Sequence, residues 1–279
     1  MRRAWDEFWF APLAAESLVG PRVVAALTAL WLVTSTGARV DLHGWPEPMI
    51  AAIAPSRLTR FLLFPLPPSV ELVLAAVLIA ALALVATGSW IRFSAATSAV
   101  LLYRHAAVQS IFESTGPFRH GSTQIVLILI VLTAVGPVAR AGAAGRFRWG
   151  LELVRFIVAL RYLSAAVAKL KVGGLAWAGG GNMTGIAAIL ATWGDPPLGE
   201  WLARNAGAAA ATGAIILIAE LSAMLAVISR RAAMIVIPLV LLSHVLQYLF
   251  FGVVELALPL LLVFLPWERR SGIRDETEA

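Results

Sequence analysis

The sequence predicts an all-α, polytopic transmembrane helical bundle of about eight spans, on three observations. Hydrophobic residues make up 60% of the 279 residues and charged residues only 14%, where a soluble domain carries about 25% charge. The apolar residues fall in runs close to the length that crosses a bilayer, roughly 20 residues. The arginines gather at the ends of those runs, as topology signals do. The formal charge of +6 therefore points to membrane orientation and not to nucleic acid. Cysteine is absent, which leaves no disulfide and no thiolate metal site.

The opening stretch MRRAWDEFWFAPLAAES mixes charges with tryptophans and has no continuous apolar core, so no cleavable signal peptide is expected. The first span is expected over about 21–38. Residues 39–69 read as a polar, Pro-rich loop with an interfacial helix near Ile50. Spans follow over about 70–90, 92–113, 121–139 and 150–170, the third being the least apolar because it carries Arg104, His105 and Gln109. Residues 171–207 read as the longest polar connection, with glycines at 179–181 and prolines at 196–197. Trp177, Trp193 and Trp201 within it suit a membrane–water boundary. The last three spans are expected over about 208–228, 232–250 and 252–267. Residues 1–268 then form a single transmembrane domain, and 269–279 a charged tail.

The arginine bias orients the bundle. With the N-terminus in the cytoplasm, the inner segments hold eleven basic residues (Arg2, Arg3, Arg92, Arg140, Arg146, Arg148, Arg230, Arg231, Arg269, Arg270, Arg274). The outer loops hold six (Arg39, Arg57, Arg60, Arg119, Lys171, Arg204). Both termini are accordingly expected in the cytoplasm. His120 then opens the fourth span, and Lys169 closes the fifth, on the same extracytoplasmic side.

Chemistry-bearing residues stand out because the chain writes nearly all its positive charge as arginine. Of 22 basic residues only Lys169 and Lys171 are lysine. Arginine keeps its charge, whereas a lysine in an apolar wall can serve as a base. Arg155, Tyr162 and Lys169 recur every seven residues and form one stripe on the fifth helix. Polar groups within a span face the bundle interior or a wet cavity, so the stripe is expected to line a pocket. Each residue also has a structural reading. Lys169 and Lys171 can snorkel to the headgroups, and His120 can be an interfacial loop residue. His244 with Gln247 and Tyr248 can form an interhelical hydrogen-bond group. Glu220 can be the buried partner of an intramembrane arginine such as Arg104, Arg155 or Arg161. The four histidines lack metal-ligand spacing.

The stretch LVRFIVALRYLSAAVAKL (Leu153 to Leu170), followed by Trp177 and Gly179, resembles the signature of the vitamin K-dependent gamma-carboxylase family and its membrane module, HTTM. Arg155, Tyr162, Lys169, Leu170, Trp177 and Gly179 match that pattern in order, with Ala168 where the family commonly has a further lysine. Arg119-His120-Gly121-Ser122 resembles the family segment that carries its active-site histidine. Glu220 to Ala223, together with Ser243, His244, Gly252, Leu265 and Pro266, resembles its last helices. The resemblance covers about residues 90–268.

That resemblance implies an enzyme that uses a reduced quinone (menaquinol or vitamin K hydroquinone), oxygen and carbon dioxide. Lys169 would be the quinol base and His120 the partner at the carbanion site. Tyr162, Arg155, Trp177, His244 and Glu220 would line the quinone and substrate pocket, with no metal. The family carboxylase captures its protein substrate with a soluble region. Here a peptide or protein substrate is expected at the 171–207 loop, at the 39–69 loop or on a separate partner. The setting implied is a bacterial plasma membrane, with lipid and lipid quinone as neighbours. A non-catalytic membrane subunit or peptide-maturation partner is the alternative, and a small transporter the third reading.

Overall fold

The computed structural model describes residues 2–11, 13, 15–35, 66–112, 121–136, 148–194, 196–253, 255 and 258–267. They are almost entirely helical, with no strand among them. The chain contacts fall into two compact units, Met1–Val154 with Leu265–Ala279, and Arg155–Phe264.

In the first unit a short helix, α1 (Arg2–Phe10), and a 3₁₀ turn (Ala15–Leu18) lead into α2 (Val19–Ser35), α3 (Pro68–Thr87), α4 (Ile91–Phe112) and α5 (Gly121–Val135). Helices α2 to α5 pack as neighbours, α4 lying against both α3 and α5. Pro68 begins α3, where its missing N–H leaves no bond unmade. Gly88 ends α3 at φ +80°, with its N–H turned back on Leu84 and Val85. A side chain at Gly88 would also strike the Arg22 guanidinium, 2.4 Å from where its Cβ would lie. Arg22 uses that space to donate to the Ala86 carbonyl at 3.4 Å. Arg92 sits in the same way over Gly136, at the end of α5. Two helix C-termini thus meet a cation, as the helix dipole favours. An ion pair between Glu71 and Arg104 joins α3 to α4.

The second unit begins within the long helix α6 (Arg148–Gly173). A 3₁₀ turn (Gly174–Ala178) follows, then α7 (Gly180–Gly194), α8 (Gly199–Ala203), α9 (Ala206–Ser222), α10 (Leu225–Ile228), α11 (Arg230–Phe251) and a 3₁₀ segment (Leu258–Phe264). Its core gathers Met183, Ala187, Leu202, Ala209, Ile216, Phe250 and Phe251 from α7, α8, α9 and α11.

This corrects the reading of 171–207 as a polar loop: most of that stretch is folded helix. Glycines suggested a breaker, yet here one glycine permits close packing. A Cβ on Gly180 would lie 2.4 Å from the Ala206 carbonyl oxygen, so α7 can start against α9 only with glycine there.

Among the described residues four helices are long and apolar enough to cross a membrane: Glu16–Ser35, Pro68–Thr87, Ala206–Ile228 and Arg230–Phe251. Leu72 and Val73 on α3, Ile218 on α9, and Met234 and Ile235 on α11 stand exposed. Such apolar surface on long helices suits lipid. The remaining expected spans take other forms. Helices α4 and α6 have 22 and 26 residues but carry Arg104, and Arg155, Arg161 and Lys169, inside their apolar runs. Helix α5 has 15 residues. The expected eighth span is not one helix: Gly252 closes α11 at φ +66°, and the next regular segment is the seven-residue 3₁₀ stretch. Glycine in the left-handed region is a strong helix stop. The predicted interfacial helix near Ile50 lies outside the described residues.

Candidate functional site

Helix α6 carries the polar groups of the second unit at intervals that keep them on related faces. Seven residues are close to two turns, so Arg155, Tyr162 and Lys169 fall about 10 Å apart along the helix. Tyr162 and Arg155 are buried, at 6% and 8% exposure.

At the last of these levels the Lys169 ammonium donates to both carboxylate oxygens of Glu220 on α9, at 2.5 and 2.7 Å. The Glu220 side chain is 7% exposed and that of Lys169 23%. The Lys169 Nζ also lies 5.1 Å from the centre of the Trp177 ring, within range of an attraction to the ring face. Trp177 is held in its 3₁₀ turn by Asn182, whose side-chain amide donates to the Trp177 carbonyl at 2.7 Å.

At the middle level Tyr162 Oη and His244 Nε2 share a hydrogen bond of 3.2 Å, with the rings edge to face at 5.6 Å. Next to Tyr162, Arg161 forms an ion pair with Glu255, just beyond α11, and both side chains are largely buried. The Arg161 guanidinium carbon lies 6.0 Å from the Tyr162 ring centre. At the first level Arg155 Nε donates to the Val263 carbonyl at 3.1 Å. One helix is thereby joined to α9, to α11 and to the segment after α11 by polar contacts spread along its length.

The structure brings Tyr162 to His244 and Lys169 to both Glu220 and Trp177, and anchors Arg155 on a backbone carbonyl. His120 lies outside the described residues. The cation expected for Glu220 was an arginine, and this is corrected: its partner is Lys169. Arg104 and Arg161 have Glu71 and Glu255 respectively. His244 bonds across to Tyr162 instead of grouping with Gln247 and Tyr248 on its own helix. Glu255 is the residue that sequence reasoning missed. A carboxylate isolated in the apolar stretch FFGVVELALP was itself a signal, because a buried charge requires a counterion. Among the described residues no group of three or more His, Cys, Asp or Glu is placed to hold a metal ion.

In comparisons with known proteins, no family model, no curated protein and no solved structure matches the chain.

Chemically, Lys169 and Glu220 are a proton donor and acceptor in close contact. Exchange of one proton across the 2.5 Å contact converts ammonium and carboxylate into amine and carboxylic acid. The exposure that remains on Lys169 leaves its amine an approach from outside the pair.

Proposed function

We propose that the protein is a polytopic membrane enzyme in which the Lys169–Glu220 pair takes a proton from a reduced lipid quinone. The observation that supports this reading is the double hydrogen bond from a partly open lysine to a buried glutamate in an otherwise arginine-writing chain. In the neutral form of the pair Glu220 holds the proton and Lys169 is a free amine. The amine accepts the hydroquinone hydroxyl proton and leaves a quinolate, which balances the new charge, while the carbonyl oxygen of protonated Glu220 accepts a hydrogen bond from the ammonium so formed. A lipid-soluble quinone reaches such a site through the bilayer.

The resemblance to the gamma-carboxylase family extends the reading. Oxygen adds to the quinolate, the strong base that results deprotonates a carbon acid, and the carbanion so formed is trapped by carbon dioxide as a carboxylate. His120 acts at that second site, on a peptide or small molecule. The chain crosses a bacterial plasma membrane about eight times, with both termini in the cytoplasm and the site toward the extracytoplasmic side. The helical segment 171–207 receives the substrate or its carrier.

The test is hydroquinone turnover by the purified protein in nanodiscs, following oxygen uptake and epoxide formation by mass spectrometry. Wild type turns over, while Lys169→Arg and Glu220→Gln, if still folded, do not. A wild type that forms no epoxide under oxygen, or a Lys169→Arg variant that matches wild type, refutes the reading.

The alternative, a non-catalytic membrane subunit or peptide-maturation partner, draws on the same contact, since a bidentate ion pair is also a structural staple. It predicts that a charge-free Lys169→Met/Glu220→Leu variant keeps full cellular function. The enzyme reading predicts a folded but inactive protein.

A further inference from the structure

Lys169 stands near the end of α6 on a flexible stem, with 23% of its side chain exposed. A lysine so placed can swing its ammonium out to water or headgroups. In that orientation it leaves Glu220 and no longer sets a base beside an acid. Of the three ammonium donors, two go to the Glu220 oxygens. The other group close to Nζ is the ring of Trp177, 5.1 Å away at its centre.

The local chain is built to place that ring. The backbone has to fold back after α6, and Gly174 makes the reversal at φ +56°, in the left-handed region. A Cβ on Gly173 would lie 3.0 Å from the Trp177 Cβ. The returning turn then rests on α9. A Cβ on Gly213 would come to 2.9 Å from the Cα and the carbonyl oxygen of Ala178, so glycine is what lets the turn sit there. Gly213 and Glu220 are seven residues apart, close to two turns of α9. One face of that helix therefore carries both the acid and the seat of the ring. Asn182, in the first turn of α7, ties the turn down by donating its side-chain amide to the Trp177 carbonyl at 2.7 Å. The Asn182 side chain is exposed, so it contributes that bond and not packing.

We propose that Asn182 is a positioning residue for the base: it fixes Trp177, and the Trp177 ring face keeps the Lys169 ammonium turned in toward Glu220. The catalytic meaning of this role rests on the reading of the pair as a base. A ring face attracts an ammonium. Without the Asn182 amide the turn is released at Gly173 and Gly174, the ring leaves Nζ, and the outward orientation of Lys169 gains population. One such hydrogen bond or ring contact corresponds to about 5-fold.

In a Lys171→Arg background Lys169 is the only lysine. Its acylation by a small water-soluble N-hydroxysuccinimide ester is followed in nanodiscs from the mass of the peptide that carries it. Asn182→Ala, and the isosteric Asn182→Asp with no N–H to donate, raise the acylation rate by about 5-fold. Trp177→Leu raises it at least as much, and Trp177→Phe, which keeps a ring face, raises it less. Because Asn182 acts through the ring, Asn182→Ala/Trp177→Leu reacts no faster than Trp177→Leu alone. Should Trp177→Leu fail to fold, Trp177→Phe with and without Asn182→Ala gives the same comparison. Wild-type rates in both Asn182 variants overturn the proposal. A double variant whose rate is the product of the two single effects also overturns it, because Asn182 then acts by a route other than the ring. Equal rates in Trp177→Phe and Trp177→Leu assign the ring to packing and overturn it as well. Hydroquinone oxidation under air is measured on the same samples. A wild type that does not turn over refutes the base, whereas the acylation rates decide the positioning by themselves.

Discussion

Lys169 and Glu220, 51 residues apart in sequence, meet through two hydrogen bonds of 2.5 and 2.7 Å. The lysine is the last cation but one on α6, and the glutamate lies in the final turn of α9. An apolar bundle tolerates a carboxylate at such a place when a cation faces it. The contact fixes the register of α6 against α9 and sets an acid beside a base in one step.

Removing one charge strands the other. Glu220→Gln keeps the shape of the side chain but leaves the Lys169 ammonium without its carboxylate. Breaking a fully buried pair costs about 3–5 kcal/mol. With 23% of the Lys169 side chain exposed the ammonium can turn outward, so a loss of about 2 kcal/mol is expected. The Lys169→Met/Glu220→Leu variant recovers to within about 1 kcal/mol of wild type, because it strands nothing. Denaturant unfolding in detergent measures both. A Glu220→Gln protein as stable as wild type shows that the pair contributes nothing to the fold.

Burial separates the ion pairs of this protein by energy. Arg161–Glu255 leaves 17% and 10% of its side chains exposed, whereas Arg204–Glu200 leaves 77% and 74%. A double-mutant cycle on Arg161→Ala and Glu255→Ala should return a coupling of about 1–3 kcal/mol. The same cycle on Arg204 and Glu200 should return about 0.5 kcal/mol or less. Equal couplings would mean that burial does not set the strength of these pairs.

The polar members of the site were legible for a physical reason. A lysine, a tyrosine, a histidine and a glutamate within apolar runs are costly, so each signals a partner. The spacing of Arg155, Tyr162 and Lys169 placed them on one stripe without any coordinates. The pairing was not legible. Several cations could have served Glu220, and only helix packing decides that Lys169 does. Glu255 stayed hidden because the run 252–267 was read as one span, and the left-handed Gly252 that ends α11 is a backbone fact. The helices of 171–207 were missed because glycine breaks a helix by propensity, while tertiary packing turns the same residue into a contact point.

Gly180 and Gly185 on α7 test that last point against each other. Alanine at 180 would bring a Cβ to 2.4 Å from the Ala206 carbonyl oxygen, a backbone atom that cannot swing away. Overpacking of this kind costs about 1–3 kcal/mol. A Cβ at Gly185 meets nothing within 4 Å, and alanine in a helix interior gains about 0.5–1 kcal/mol over glycine. Gly180→Ala is thus expected to melt below wild type and Gly185→Ala at or above it. The reverse order would show that α7 does not rest on α9 at Gly180.

The absence of cysteine makes the proposed orientation directly measurable, since any introduced thiol is unique. Trp5 on α1 is 61% exposed, and the side chain of Arg204, after α8, is 77% exposed. Five proposed crossings lie between these positions, an odd number, so they belong on opposite sides. Arg204→Cys should react with a membrane-impermeant maleimide in intact cells. Trp5→Cys should react only after the membrane is opened, because the orientation proposed from the arginine bias puts the N-terminus inside. Labelling of both from the outside would remove one crossing, and α6, with its buried arginines, would be the first helix to doubt. Labelling of Trp5→Cys alone from the outside would invert the bundle and move the Lys169–Glu220 pair to the cytoplasmic half of the membrane.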